Sequence, residues 1–442
     1  MESLLIPQRS ASIPALSFLE TRRFKTEYLS ISAVRPIRAE EVPLTSLLLS
    51  VLRRGTERYP SLQAINRRLD GLFGTELSIR NFYRGDYQVV GFSLDFLNAA
   101  HLPDGVFPLR EALDVICQIF FHPLLDENGL LLASYVEDEK RYQQSIIRSI
   151  KNNPSGYASD RCQALFYGDK PCGAPIYGRV EDLEKVTPEL LTAHWKKVVS
   201  EFSPECFFVG SLPQDEVEDA LQKTLFCELG DRAFQKPLCS FSPVQARTAE
   251  AYEESFPANQ SHLAIALATG TILGDPDYYA MQVYNELLLG VSPVSKLFLN
   301  LREKQSLCYS CASYYRPFNG AIFLRIGLAA SCRERAENEI RRQMEELAKG
   351  HISAFELEAA KRSLATSFLA IEDSPEALEN YFFGRTLAGL SIPLAESREK
   401  ILSVTREDVI RAAGKVVWTT AFFLAETPGE EGTFDENDES DL

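Results

Sequence analysis

"LFLNLREKQSLCYSCASYYRPFNGAIFLRIGL", residues 297–328, reads as a helix, a turn and two strands. The leucine-rich start ends in Arg302-Glu303-Lys304, and the alternation of "SLCYSCASYY" and "GAIFLRIGLAA" predicts a hairpin. A helix-to-strand turn can aim Arg302 and Tyr309, seven residues apart, at one point. A guanidinium and a phenol so placed can donate hydrogen bonds to a peptide carbonyl or to the oxyanion it becomes on hydrolysis. The spacing alone favours a plainer reading, an ordinary helix arginine paired with Glu303 or Glu339.

Moved back by 232 residues, the same pattern falls on residues 65–96. Leu301 lands on Leu69, Tyr314-Tyr315-Arg316 on Phe82-Tyr83-Arg84, and Ala321-Ile322 on Val89-Val90. Few residues are identical, so what repeats is the order of elements. A chain of 442 residues exceeds what one core supports. Two copies of one α+β unit are therefore expected, with two unrelated α+β domains as the alternative. The expected boundaries are 1–228 for the first domain, 229–254 for a Pro-containing linker, 255–427 for the second domain and 428–442 for an acidic disordered tail.

Composition narrows the function. The chain is 45% hydrophobic and 24% charged, as soluble globular proteins are. No apolar run reaches the roughly 20 residues that span a bilayer, and the N-terminus has no basic segment ahead of an apolar core. Cytoplasmic residence without a membrane span is expected. The net charge is −16, of which eight acids between Glu426 and Leu442 supply half, leaving −8 for the body. Nucleic acid is thus a disfavoured partner. Nine scattered cysteines imply reduced, mostly buried thiols. Cys308-x-x-Cys311 lies in a strand-like stretch with no second Cys/His pair nearby, so no metal or redox role is expected of it. His101, His122, His194, His262 and His351 are too far apart in sequence for a paired-imidazole metal site on one helix. His122 and His194 read as helix-end or interface residues, and Glu137-Asp138-Glu139 as a solvated face.

The 297–328 stretch resembles the pitrilysin/insulinase family of zinc peptidases, which includes mitochondrial processing peptidase. Its "LREKxxLxYS" setting matches Arg302 and Tyr309. "FFHPLLDEN" (120–128), "LFYGDKPCGAPIYG" (165–178) and "VTPELLTAHW" (186–195) look like further family landmarks. The resemblance implies a metallopeptidase clam-shell half: two homologous α/β-sandwich-like halves, each a mixed, mostly antiparallel sheet with helices on one face. Active members carry H-x-x-E-H on the helix before a Gly-Thr turn, two histidines for zinc and a glutamate that activates water. Counting back from Gly55-Thr56, Ser46 and Ser50 stand where the histidines would be, and Leu49 replaces the base. The third ligand would fall at or near Ile146. Neutral hydroxyls and alkyl groups do not hold Zn²⁺, so no cofactor is expected in this chain.

By the same resemblance, the chain is expected to be a non-catalytic subunit. An H-x-x-E-H homologue would hold the zinc, and Arg302 and Tyr309 would hold a peptide or unfolded segment for it. "VLRRGTERYPS" and "LDGLFGTEL" look most like the inactive partner subunit associated with elongation factor P modification in Gram-positive bacteria. A non-proteolytic scaffold or assembly protein of the same fold is the alternative. A zinc enzyme built from other residues is a third reading, which the scattered histidines oppose.

Overall fold

The computed structural model describes residues 6–103, 106, 108–230, 232 and 239–427. The expected acidic tail 428–442 and much of the early linker lie outside them. Among the described residues no helix is long and apolar enough to cross a membrane.

The chain is mixed α/β with two sheets. One holds β1 (Gln8–Arg9), β2 (Leu16–Glu20), β3 (Thr26–Pro36), β4 (Glu76–Arg84), β5 (Tyr87–Leu97) and β6 (Pro204–Gly210), in the order β1-β2-β6-β3-β5-β4. The other holds β7 (Glu250–Pro257), β8 (Ser261–Ala268), β9 (Ser310–Arg316), β10 (Ala321–Leu328) and β11 (Val417–Thr427), ordered β7-β11-β8-β10-β9. Only β2/β6 and β7/β11 are parallel. Apart from β1, the second sheet repeats the first strand for strand, including the place of its one parallel pair. The 232-residue offset carries β4 and β5 onto β9 and β10 within two residues. It also carries Gly74, at φ 74°, onto Ser306, at φ 51°. Both form the left-handed turn between helix and strand. Glycine adopts that conformation freely, whereas serine gives up on the order of 1–2 kcal/mol. Two copies of one plan are present, and two unrelated domains are not.

The compact units depart from contiguous halves. Ile150–Gly168 joins the second unit, and Ala365–Leu402 joins the first. The Pro154–Tyr167 helix packs on β8, β10 and β11, with Phe166 against Phe323 at 5.4 Å and Arg161 on Glu254 at 2.6 Å. The Pro375–Leu387 helix packs on β3 and β6. There Glu379 accepts from Ser30 and Arg80, both at 2.8 Å, in a fully buried cluster. Both helices start from the same signal, a capping side chain followed by proline at the first turn. Asn153 accepts from the Gly156 N–H, and Ser374 from the Ala377 N–H. The strand β7, moreover, begins inside the stretch expected to be linker.

The Val42–Leu52 helix is the most apolar part of the first core. Leu47, Leu48, Leu49, Val51 and Leu52 are buried with Phe92, Leu94 and Phe96 of β5, and with Ile116 and Phe120 of the Pro108–Phe121 helix. Each such leucine contributes about 1.5–3 kcal/mol by leaving water.

Candidate functional site

The first place to look is the Val42–Leu52 helix, where the resemblance would place zinc ligands. Ser46 and Leu49 are buried and Ser50 is half-buried. The helix packs against the Ala133–Ser149 helix. At one end Arg54 donates to Glu139 (3.2 Å) and Asp138 (3.1 Å), with its guanidinium over the Tyr135 ring. At the other end Gln143 donates to the Tyr177 carbonyl at 2.7 Å. Gly178, at φ 73°, lies so near Pro43 that a Cβ there would come within 2.4 Å of the proline ring. These two anchors set the helices antiparallel and bring the half-buried Ile146 toward the Ser46 end. The side chains on offer are two neutral hydroxyls, a leucine and an isoleucine. They do not fit zinc. Among the described residues no group of three His, Cys, Asp or Glu side chains could hold a metal ion.

One polar network survives beside this helix. The Thr45 hydroxyl donates to the Glu41 carbonyl at 2.9 Å and accepts from Arg35. Its one proton is thereby committed, so His194 Nε2, at 2.9 Å, must be the donor, which fixes the Nε2–H tautomer. Of the two places expected for His194, a helix end or an interface, the helix end is not where it lies. It lies within the Pro188–Glu201 helix and is buried. Burial first, then the Arg35 charge, pushes its pKa down to about 4, against the opposing pull of Glu41. The unfolded chain therefore binds more protons than the native one between about pH 6.5 and pH 4, and stability is lost as the pH falls through that window. A few kcal/mol at most are at stake. Urea titrations at stepped pH should show this loss, and His194→Gln should flatten the slope; an unchanged slope in the variant would assign the acid sensitivity elsewhere. Of the acidic run, Glu137 and Asp138 are exposed as expected, and Glu139 is largely covered where it meets Arg54. His122 does sit at a helix end, bonded to Glu228 at 3.0 Å.

The second place is the turn before β9. Residues Phe298–Lys304 form a π-helix where the sequence predicts an ordinary one. Single π-turns of this kind are rare and concentrate at functional sites. The wide turn closes through Ser306 N–H to Arg302 O (3.2 Å) and Leu307 N–H to Leu301 O (2.7 Å). Tyr309 N–H then bonds Gly327 O at 2.8 Å, fixing that residue at the start of an edge strand. Arg302 lies over the Phe298 ring at 5.2 Å, about half exposed. Its nearest acid is Glu303, at 4.0 Å, a contact worth little at such exposure. Glu339 is engaged instead by Arg342 and Gln343. Tyr309 is 63% exposed, and its hydroxyl makes no hydrogen bond among the described residues. Two strong donors on one turn thus face solvent uncommitted.

Fold and sites together describe a doubled α/β chain that, among the described residues, has no cluster of metal-binding side chains. Comparison with known proteins agrees. The family description "Peptidase M16 inactive domain" matches residues 185–364. The "probable inactive metalloprotease YmfF" of Bacillus subtilis is 28% identical over 411 residues, covering 93% of this chain and 95% of the relative. The "uncharacterized zinc protease YmxG" of the same organism is 25% identical, covering 71% and 74%. A crystal structure of a conserved Enterococcus faecalis protein superposes with a TM-score of 0.86 at 24% identity, over 95% of this chain and 99% of that one. The chain is thus similar to M16 peptidases, and over nearly its whole length to a relative described as a probable inactive metalloprotease.

Proposed function

We propose that this chain is the substrate-holding, non-catalytic subunit of a two-chain zinc peptidase. The contrast between its two candidate sites carries the reading. Where the family's metal would sit, the side chains are packed and without ligand chemistry. Where its carbonyl-holding pair would sit, Arg302 and Tyr309 are exposed and unspent. A scaffold with no role in proteolysis gives no reason to keep a guanidinium and a phenol free on a costly turn. In this reading the two groups donate to the carbonyl of an extended peptide, and the H-x-x-E-H subunit carries out the cleavage. Zinc is a property of that subunit alone. Being acidic, the chain favours a partner of complementary surface charge.

Co-expression with an H-x-x-E-H homologue from the same genome tests this. The expected result is a stable heterodimer with one zinc per pair, and peptide hydrolysis that neither chain shows alone. Elemental analysis of this chain alone should find no stoichiometric metal. Bound zinc with peptidase activity in the lone chain would overturn the proposal.

A further inference from the structure

The register of the second sheet decides what residues 428–442 can reach. Strand β11 ends at Thr427, and the Glu426 N–H bonds the Ser261 hydroxyl at 3.0 Å. Ser261 pairs with Leu328 at the end of β10, and the adjoining Gly327 pairs with Ser310 at the start of β9. The Gly327 carbonyl also accepts from the Tyr309 N–H at 2.8 Å. The exit of the acidic segment and the Arg302–Tyr309 turn therefore lie at one end of one sheet. Three inter-strand steps separate them, about 14 Å. After Thr427 comes Pro428-Gly429, a residue pair that favours a tight turn. Beyond it stand seven acids between Glu430 and Asp441, and no base. We propose that residues 428–442 fold back onto this turn, where their carboxylates occupy Arg302 and Tyr309 in competition with the peptide. The competition rests on the function proposed above; the contact does not.

The chemistry of the two sides matches. A carboxylate accepts the same two hydrogen bonds as a peptide carbonyl or its oxyanion, and its charge strengthens both. Lys304 is exposed on the same turn and bonds a neutral partner, the Asn300 amide oxygen, at 3.4 Å. The turn thus carries two cations against the one acid Glu303. Exposed ion pairs are weak singly. The covalent tether offsets this, because a short linked segment meets its site at an effective concentration on the order of millimolar. Residues 428–442 extend to roughly 50 Å at most. The 14 Å to be crossed, as reckoned above, takes about five of them and leaves several acids that can exchange at the donors.

The test starts from the full chain alone and a water-soluble carbodiimide, which joins a carboxylate to an amine in contact with it. At low ionic strength the expected product is an amide between Lys304 and an acid of 430–441, read by mass spectrometry. Arg302→Ala should weaken that link, and about 1 M salt should abolish it, since the Debye length falls to about 3 Å. Lys349, 59% exposed, is the internal control. The Arg333–Ala348 helix starts close to Glu426, which accepts from the Ala330 N–H at 3.4 Å, and Lys349 follows its far end, about 24 Å away. In the heterodimer, Glu→Gln and Asp→Asn throughout 430–441 should lower KM several-fold at unchanged kcat, as the free fraction of the site rises. Acids that couple to Lys349 as readily as to Lys304, or to neither, would overturn the contact, and an unchanged KM would overturn the competition. A heterodimer without peptidase activity would sink the function proposed above, while the carbodiimide result would still decide the contact.

Discussion

Arg302→Ala should lower partner-dependent peptide turnover by roughly 10²–10³-fold, the cost of removing one donor from an oxyanion site. Most of the loss should appear in kcat, because the bond strengthens as the carbonyl becomes an oxyanion. Tyr309→Phe removes one hydroxyl and keeps the ring, so its loss should be of the same kind and smaller. Neither variant should change the amount of heterodimer recovered. Arg302 is half-exposed with no close ion pair, and Tyr309 is mostly exposed, so folding loses little from either. Full turnover in the double variant would leave the assembly-protein reading standing.

The largest effect on stability should come from Glu379→Ala. The Arg80–Glu379 pair, at 2.8 Å, is almost wholly shielded from water, with Tyr28 accepting from Arg80 and Ser30 donating to Glu379. Burial pushes the Glu379 carboxyl above its ordinary range despite the neighbouring Arg80. Removing the acid alone strands a buried guanidinium, a loss of about 3–5 kcal/mol. Arg80→Met with Glu379→Leu should recover most of it, since an apolar pair carries no desolvation cost. Urea denaturation of the single and double variants measures both. A single variant as stable as the parent would mean that the exchanged helix is held by apolar contacts alone.

How far the sequence foretold this varies with the physics involved. Alternation made β9 and β10 readable, and the 232-residue offset carried that reading to β4 and β5 and revealed the doubled plan. Counting from Gly55-Thr56 puts Ser46, Leu49 and Ser50 on the Val42–Leu52 helix, and the structure shows that helix packed into the core. Local text could not tell on which sheet a helix would pack. Asn153-Pro154 reads equally as an end and as a capped start, and here it is the start. The short β1 and β2 lack an alternating run long enough to register, and β2 is held by parallel pairing to a strand far along the chain. The π-helix at Phe298–Lys304 has the composition of an ordinary helix. Its left-handed turn at Ser306 stands where the first repeat has a telltale glycine, Gly74.

The crossed helices bear on how the chain is made. Strands β3 and β6 are complete once Gly210 has been synthesised, yet the helix that covers them ends at Leu387. At 5–20 residues per second that interval lasts on the order of 10–40 s. Throughout it that sheet face, Arg80 included, waits on the ribosome for a cover and a counter-charge not yet translated.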